Sequence, residues 1–150
     1  MQAIEPLSGR VIEEACRMRA SDIHIVPCKK EAIIRFRIDG ELIQKDRLTR
    51  LECSRLISHF KFLSSMDIGE RRQPQSGALT LQVNNKPVHL RMSTLPTVYD
   101  ESLVIRVLPQ ASAPPLRSLS LFPDATSKLL SFLKHSHGLM IFTGPTGNVI

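Results

Sequence analysis

The segment with the clearest chemical potential is the glycine-rich stretch close to the last residue of the sequence. A short apolar run, Leu139–Thr143, is typical of a buried strand, and four turn residues follow it directly: Gly144, Pro145, Thr146 and Gly147. A strand that leads into a glycine-rich turn is how a phosphate-binding loop begins, because the backbone amides of the turn can cradle phosphate oxygens. The complete motif ends on Gly-Lys and a hydroxyl residue, but Val149 and Ile150 occupy the Gly and Lys positions. The segment alone fits either an incomplete Walker A loop or an ordinary turn.

Arginines form the second group of candidate functional residues. Arg35 and Arg37 alternate with apolar residues in Ala32–Ile38, and Arg91 and Arg106 occupy similar positions in later apolar stretches. Alternation on a strand sends the apolar side chains to one face of a sheet and the arginines to the other. Guanidinium groups gathered on one face can bind phosphate oxygens, but the same pattern is also produced by a face that is simply solvated. Both interpretations stay open at this point.

Two further groups of polar residues are weaker candidates. Ser21, Asp22 and His24 are close in sequence, but neighbouring strand residues point to opposite faces, so no catalytic triad is predicted. Asp22 is expected to be a turn or cap residue, and His24 a partly buried residue that makes hydrogen bonds. His135 and His137 lack additional ligands nearby, so no metal site is predicted.

Composition limits the class of protein. The chain has 150 residues, of which 42% are hydrophobic and 23% charged, and these values are ordinary for a globular protein. The net charge of +6 suggests an acidic partner, but the basic residues are dispersed, so direct DNA binding is not expected. The sequence has no apolar run long enough to cross a bilayer, and its first residues lack the basic region and apolar stretch of a signal peptide. Its three widely spaced cysteines indicate neither a disulfide framework nor a metal site.

Apolar periodicity predicts a mixed α+β fold with a mainly antiparallel sheet. Asp39-Gly40 is a strong hairpin signal, and Thr49 with Glu52 forms a capping box at the start of a helix that ends near Ser65. The polar stretch Gly69–Gly77 is predicted to be an exposed loop. The remaining predicted elements are a helix over Ile4–Met18, strands over Asp22–Val26, Ala32–Ile38, Glu41–Lys45, Leu79–Val83, Val88–Ser93 and Leu103–Leu108, and a helix from its cap Asp124 to about His135, ended by Gly138.

Three prolines mark a break in the chain. Pro109–Pro115 is poor in apolar residues and is typical of a linker. The predicted organisation is therefore an N-terminal domain over residues 1–108, a linker over 109–117, and a second segment over 118–150.

The sequence resembles the traffic ATPases of type II secretion and type IV pili along nearly its whole length. The stretches that carry the resemblance are Ala20–Pro27 (ASDIHIVP), Arg35–Leu42 (RFRIDGEL), Gly69–Gly77 (GERRQPQSG), Arg91–Leu108 (RMSTLPTVYDESLVIRVL) and Gly138–Gly147 (GLMIFTGPTG). Within that family it looks most like the competence ATPase that drives a DNA-uptake pseudopilus in Gram-positive bacteria. SHFKFLSSMDIGERR, LSFLKHSHG and the short stretch before ASDIH favour that subfamily.

The resemblance implies an N-terminal α+β domain followed by the first helix and strand of a RecA-like P-loop domain. It implies a hexameric enzyme that uses ATP and Mg²⁺ when full length, lies in the cytoplasm against the inner face of the cell membrane, and contacts inner-membrane platform proteins. It also implies roles for particular residues. Nucleotide contacts are expected from Gly144, Pro145, Thr146, Gly147, Arg35, Arg37, Arg91 and Arg106, and subunit-interface contacts from Arg71, Arg72 and Glu101.

The sequence departs from the family pattern after Gly147, where Asn148-Val149-Ile150 replaces the remainder of the loop. We therefore expect an N-terminal fragment that has no catalytic residues of its own, no ATP turnover and no tightly bound cofactor. The Leu139–Phe142 strand is expected to lack sheet partners. The alternative hypothesis is a stand-alone interaction module that docks on secretion or pilus proteins of the inner membrane without catalysis.

Overall fold

The computed structural model describes residues 4–108, Pro115, Ser118, Phe122 and 124–143. The chain divides into two compact units, Met1–Gln110 and Ala111–Ile150. The predicted Pro109–Pro115 linker (apart from Pro115) and the predicted loop residues Gly144–Gly147 lie outside the described residues. The linker assignment and the assignment of residues 118–150 to a RecA-like domain therefore stay predictions.

The first unit contains two helices and six strands, and one further helix is described in the second unit. Their bounds in chain order are α1 (Ile4–Arg17), β1 (Asp22–Pro27), β2 (Glu31–Ile38), β3 (Glu41–Thr49), α2 (Arg50–Leu63), β4 (Gln75–Val83), β5 (Lys86–Pro96), β6 (Glu101–Val107) and α3 (Ala125–Leu133). The α+β class and the antiparallel sheet predicted from the sequence are confirmed.

The six strands form one sheet in the order β3-β2-β1-β6-β5-β4, and every neighbouring pair is antiparallel. Two consecutive meanders, β1-β2-β3 and β4-β5-β6, are joined where β1 pairs with β6. The register between β2 and β3 shifts at Ile34/Arg35, which is where β3 accommodates an additional residue. The order places β1 inside the sheet, with one strand from each meander beside it.

The two helices of the first unit supply the other side of a single hydrophobic core. One face of the sheet contributes alternate side chains such as Ile23, Ile25 and Phe36, all of which are buried. Helix α1 contributes Leu7 and Ile12, and α2 adds its own buried apolar side chains. A helix with one apolar stripe and a sheet with one apolar face must bury those surfaces against each other. The opposite face of the sheet is therefore where the polar side chains of β1, β2, β5 and β6 emerge.

Local sequence signals are confirmed at three turns and caps. Asp39 and Gly40 both have positive φ (50° and 88°), as a tight hairpin requires, and Asn84 and Asn85 (50° and 61°) turn the chain between β4 and β5. The Thr49–Glu52 capping box is present, with Thr49 N–H donating to Glu52 Oε2 at 2.9 Å. The hydrogen bonds donated by the Thr49 amide and the Thr49 hydroxyl hold the pKa of the Glu52 carboxyl below its ordinary value.

The predictions for the second unit are partly wrong. Helix α3 ends at Leu133 rather than near His135, and the side chain of Asp124 makes no capping hydrogen bond, because its own backbone is already helical (φ −93°, ψ −8°). Leu139–Thr143 is not a strand. In the described part of the chain no strand lies beside it to complete a hydrogen-bond ladder, and Leu139 is 86% exposed. A strand needs such a partner to satisfy its backbone.

A buried ion pair ties α2, β6 and the loop before β4 together. Lys61 Nζ lies 2.9 and 3.0 Å from the two carboxylate oxygens of Glu101 and donates to the backbone oxygen of Glu70 at 2.6 Å. The Lys61 side chain is 0% exposed and that of Glu101 only 4%. Gln75 binds the same loop through its side-chain amide, which donates to the backbone oxygens of Asp67 and Glu70. The predicted exposed loop is thus anchored from inside, and β4 begins within it at Gln75.

We predict that Lys61→Met lowers the free energy of unfolding of the first unit by about 3–5 kcal/mol, because it leaves the Glu101 carboxylate buried and unpaired. The double variant Lys61→Met/Glu101→Leu should recover most of the loss, since both buried charges are then removed. Urea denaturation followed by circular dichroism measures both values. Equal instability of the single and double variants would contradict the ion-pair explanation.

Gly77 offers a second stability test, because β4 passes very close to the end of α2 there. A Cβ at Gly77 would lie 2.8 Å from the backbone oxygen of Ser64 and 2.9 Å from its Cβ. Gly77→Ala should therefore cost about 1–3 kcal/mol of stability through overpacking. The matched control is Gly9→Ala in α1, where a Cβ meets nothing within 4 Å. That change should instead gain about 0.5–1 kcal/mol, and a similar loss in both variants in thermal denaturation would refute the steric argument.

Candidate functional site

Strand pairing brings the four candidate arginines of the sheet together on the face opposite the helices. Asp22 in β1 is directly opposite Arg37 in β2 and Arg106 in β6, and Arg106 is directly opposite Arg91 in β5. The fourth arginine, Arg35, is opposite His24, two residues further along β1. Directly opposite residues have Cβ atoms about 5 Å apart. We call these six residues the arginine face: Asp22, His24, Arg35, Arg37, Arg91 and Arg106.

Asp22 is the acidic centre of the arginine face. Its Oδ1 accepts from Arg106 Nε at 3.0 Å, and its Oδ2 lies 3.6 Å from Arg37 Nε and accepts from the Ser21 hydroxyl at 2.9 Å. The Asp22 side chain is 9% exposed, whereas the Arg106 side chain is 63% exposed. The sequence-based prediction of Asp22 as a turn or cap residue is therefore wrong, because its two carboxylate oxygens contact Arg37, Arg106 and Ser21.

The remaining arginines are available for a ligand. Within the described residues, the guanidinium groups of Arg35 and Arg91 make no hydrogen bond or ion pair, and Arg91 is exposed. Arg37 also donates from Nη1 to the backbone oxygen of Gly40 at 2.8 Å, which fixes its direction. Four guanidinium groups and one carboxylate leave the face with a net charge of +3 while His24 is neutral. Such a surface can bind an anion with several oxygens by charge-assisted hydrogen bonds.

His24 is the residue of the arginine face whose hydrogen bonding is incomplete. Its Nε2 is buried and has no hydrogen-bond partner within the described residues. The prediction that His24 is partly buried is confirmed, but the predicted hydrogen bond is absent at Nε2. Burial lowers the pKa of His24 below its ordinary value of 6.5, Asp22 raises it, and the positive charges of Arg37 and Arg35 lower it further.

The predicted interface residues are not part of the arginine face. Arg71 donates to the Ser54 hydroxyl at 3.1 Å and lies 3.5 Å from Asp100, whereas Arg72 is exposed. Glu101, at the start of β6, points to the helix side of the sheet and is buried against Lys61. Arg106 is five positions further along the strand, which corresponds to roughly 17 Å. A direct contact between Glu101 and another subunit would require the buried ion pair to open, and the interface roles stay predictions.

Sequence reasoning missed Asp22, the role of His24 and Lys61. A usable signal existed for the first two, since Asp22 and His24 are two residues apart on one strand and therefore share a face. The other predicted site residues, Gly144, Pro145, Thr146 and Gly147, lie outside the described residues.

No three His, Cys, Asp or Glu side chains in the described ranges come together in a group that could hold a metal ion. None of the described helices is both long and apolar enough to cross a bilayer.

The fold is an α+β domain whose sheet carries a basic face opposite its helices. The family model described as "Type II/IV secretion system protein" matches residues 1–148, and the chain belongs to that family.

Curated relatives agree with this family assignment. The competence protein ComGA of Bacillus subtilis (strain 168) is 62% identical over 148 residues, which cover 99% of this chain and 42% of the relative. Type II secretion system protein E of Xanthomonas campestris pv. campestris is 37% identical over 143 residues, or 95% of this chain and 25% of the relative. The chain thus spans less than half the length of either relative.

A solved structure supports the fold. The pilus retraction motor PilT, crystallised with bound ADP, aligns with a TM-score of 0.54 over 93% of this chain and 38% of its own. The sequence identity is 22%, so this likeness speaks for the fold alone.

The position of His24 gives a direct electrostatic test of the arginine face. Asp22→Asn should lower the pKa of His24, because it removes the carboxylate that favours the imidazolium, while Arg35→Gln should raise it. Arg47→Gln is a matched control, since Arg47 lies on β3 and pairs with Glu31 at 2.8 Å. NMR titration of the imidazole protons measures all three, with His24→Asn identifying the signal. Identical His24 titration curves in all variants would contradict this arrangement.

Proposed function

We propose that this chain is the N-terminal part of a hexameric ATPase that powers assembly of a pseudopilus for DNA uptake, and that the arginine face contacts the nucleotide phosphates. The arginine face is the observation that carries the proposal. It gathers four guanidinium groups from three strands onto one side of the sheet, and two of them, Arg35 and Arg91, lack protein partners in the described residues. The 62% identity to the competence protein ComGA supports the choice of DNA uptake over secretion.

The arginine face fits the phosphate groups of ATP but not its Mg²⁺. Arg91 and Arg106 are exposed and can donate to phosphate oxygens, whereas Asp22, the acidic member of the face, already accepts from Arg106. A carboxylate engaged in this way is a poor magnesium ligand, so Mg²⁺ would be bound by residues outside this face. When bound, ATP supplies the free energy of phosphoryl transfer. The arginines orient the phosphates and offset their charge, which is the main protein contribution in such reactions.

The remaining parts of the proposal concern the assembled protein. Gly144–Gly147 would begin the phosphate-binding loop, and the protein would act as a hexamer in the cytoplasm, against inner-membrane platform proteins of the pseudopilus machine. Direct DNA binding is not part of the proposed role.

A chimera tests the proposed function. Residues 1–148 of the chain replace the matching region of B. subtilis ComGA. The purified chimera is assayed for ATP hydrolysis, and the corresponding strain is assayed for transformation. Arg91→Gln should lower both by about tenfold or more, because a charge-assisted hydrogen bond to phosphate contributes about 1.5–3 kcal/mol. Arg106→Gln should do the same, but it also removes a partner of buried Asp22, so its thermal stability is measured alongside.

The matched control is Arg47→Gln, which removes the same charge from an edge strand and should leave both activities near the parent values. A chimera that assembles and hydrolyses ATP equally well with Arg91→Gln would overturn the proposed phosphate contact. A chimera that restores transformation without any ATP hydrolysis would instead support the alternative function, a docking module for inner-membrane partners.

A further inference from the structure

A proton-binding group lies beside the arginines on the same sheet face. His24 is directly opposite Arg35 on β2 and Val104 on β6, so it has one charged and one apolar neighbour across the strands. Along β1 it is two residues from Asp22, which is flanked by Arg37 and Arg106. That spacing places its Cβ roughly 7 Å from that of Asp22 on the same face. No other charged residue is directly opposite His24 in the register of its two neighbouring strands.

The surroundings of His24 disfavour a positive charge in the absence of a ligand. Its Nε2 is buried without a partner within the described residues, so the imidazolium would lack both solvent and an acceptor at that atom. Desolvation and the positive charges of Arg37 and Arg35 lower the pKa of His24, while Asp22 opposes them. These surroundings favour the neutral form of His24 in the free chain.

An oxyanion bound to the arginines reverses this balance. Its negative charge would offset the guanidinium charges that repel the imidazolium, and an opposite charge within several ångströms favours the protonated form. We propose that phosphate-bearing ligands bound by the arginines of the arginine face bind together with a proton on His24, an inference that rests on the proposed function of that face. His24 is a positioning and sensing residue in this scheme. It links ligand affinity to pH and to the charge of the ligand.

The direction in which ligand affinity changes with pH follows from the direction in which the ligand shifts the pKa of His24. If ligand raises the pKa of His24, the complex binds more protons than the free chain, so affinity must increase as the pH falls through the pKa of the complex. The increase ends once the pH is below the pKa of the free chain. An upward shift of one unit corresponds to about a tenfold gain in affinity.

The test uses the 150-residue chain and sulfate, whose charge is constant between about pH 5 and about pH 8, where histidine titrates. NMR follows the imidazole protons of His24 and the side-chain signals of Arg91 and Arg106 during sulfate titrations at several pH values, with chloride added to keep the ionic strength constant. The expected result is an upward shift of the His24 pKa on saturation and about tenfold tighter sulfate binding at the acidic end. The unmodified chain alone gives both quantities, so the test does not depend on any variant folding.

Two variants separate the contribution of His24 from that of a positive charge elsewhere on the sheet. His24→Asn should lose the pH dependence of sulfate binding, whereas Arg47→Gln should keep it. Sulfate binding that depends on Arg91 but leaves the His24 pKa unchanged would overturn the coupling and leave the proposed phosphate contact intact. A different result would be that Arg91 affects neither sulfate binding to this chain nor ATP binding to the chimera. That result would overturn both the proposed function and the coupling.

Discussion

The carboxylate of Asp22 makes the arginine face possible. Directly opposite residues on neighbouring strands are about 5 Å apart, and like charges at that distance, such as Arg91 and Arg106, destabilise a sheet. Asp22 separates Arg37 from Arg106 and contacts both, at 3.6 and 3.0 Å. Because its side chain is nearly buried, loss of both arginines would leave a desolvated charge without compensation. The same residue thus neutralises part of the repulsion and fixes the directions of two guanidinium groups.

Strand β1 serves both sides of the sheet. Ile23 and Ile25 pack into the core under the helices, while Asp22 and His24 stand on the arginine face. A shift of one residue in its pairing would exchange these sets and place a carboxylate in the apolar core. The hydrophobic core therefore specifies the register that brings the arginines together. Rigid strands hold such groups more accurately than loops do.

Features that depend on neighbours in sequence could be predicted, and those that depend on distant contacts could not. The Asp39-Gly40 hairpin and the Thr49–Glu52 capping box were predicted correctly because each is determined within a few residues. The ion pair of Lys61 was missed because its partner Glu101 is 40 residues away. Asp22 was misassigned for the same reason. For the Leu139–Thr143 segment, apolar composition suggested a strand, but composition does not supply a pairing partner.

The join between the two meanders runs through the middle of the arginine face. Asp22, His24, Arg35 and Arg37 come from the first meander, whereas Arg91 and Arg106 come from the second. Each meander can form from contacts between consecutive strands, but the β1–β6 pairing that unites them closes a loop of 84 residues between Asp22 and Arg106. Closing a long loop costs chain entropy before the new contacts between the strands can offset that cost. Such pairings therefore form slowly. The cluster is consequently absent from any partly folded chain in which only one half has formed, and a phosphate ligand that needs both halves recognises only the completed domain.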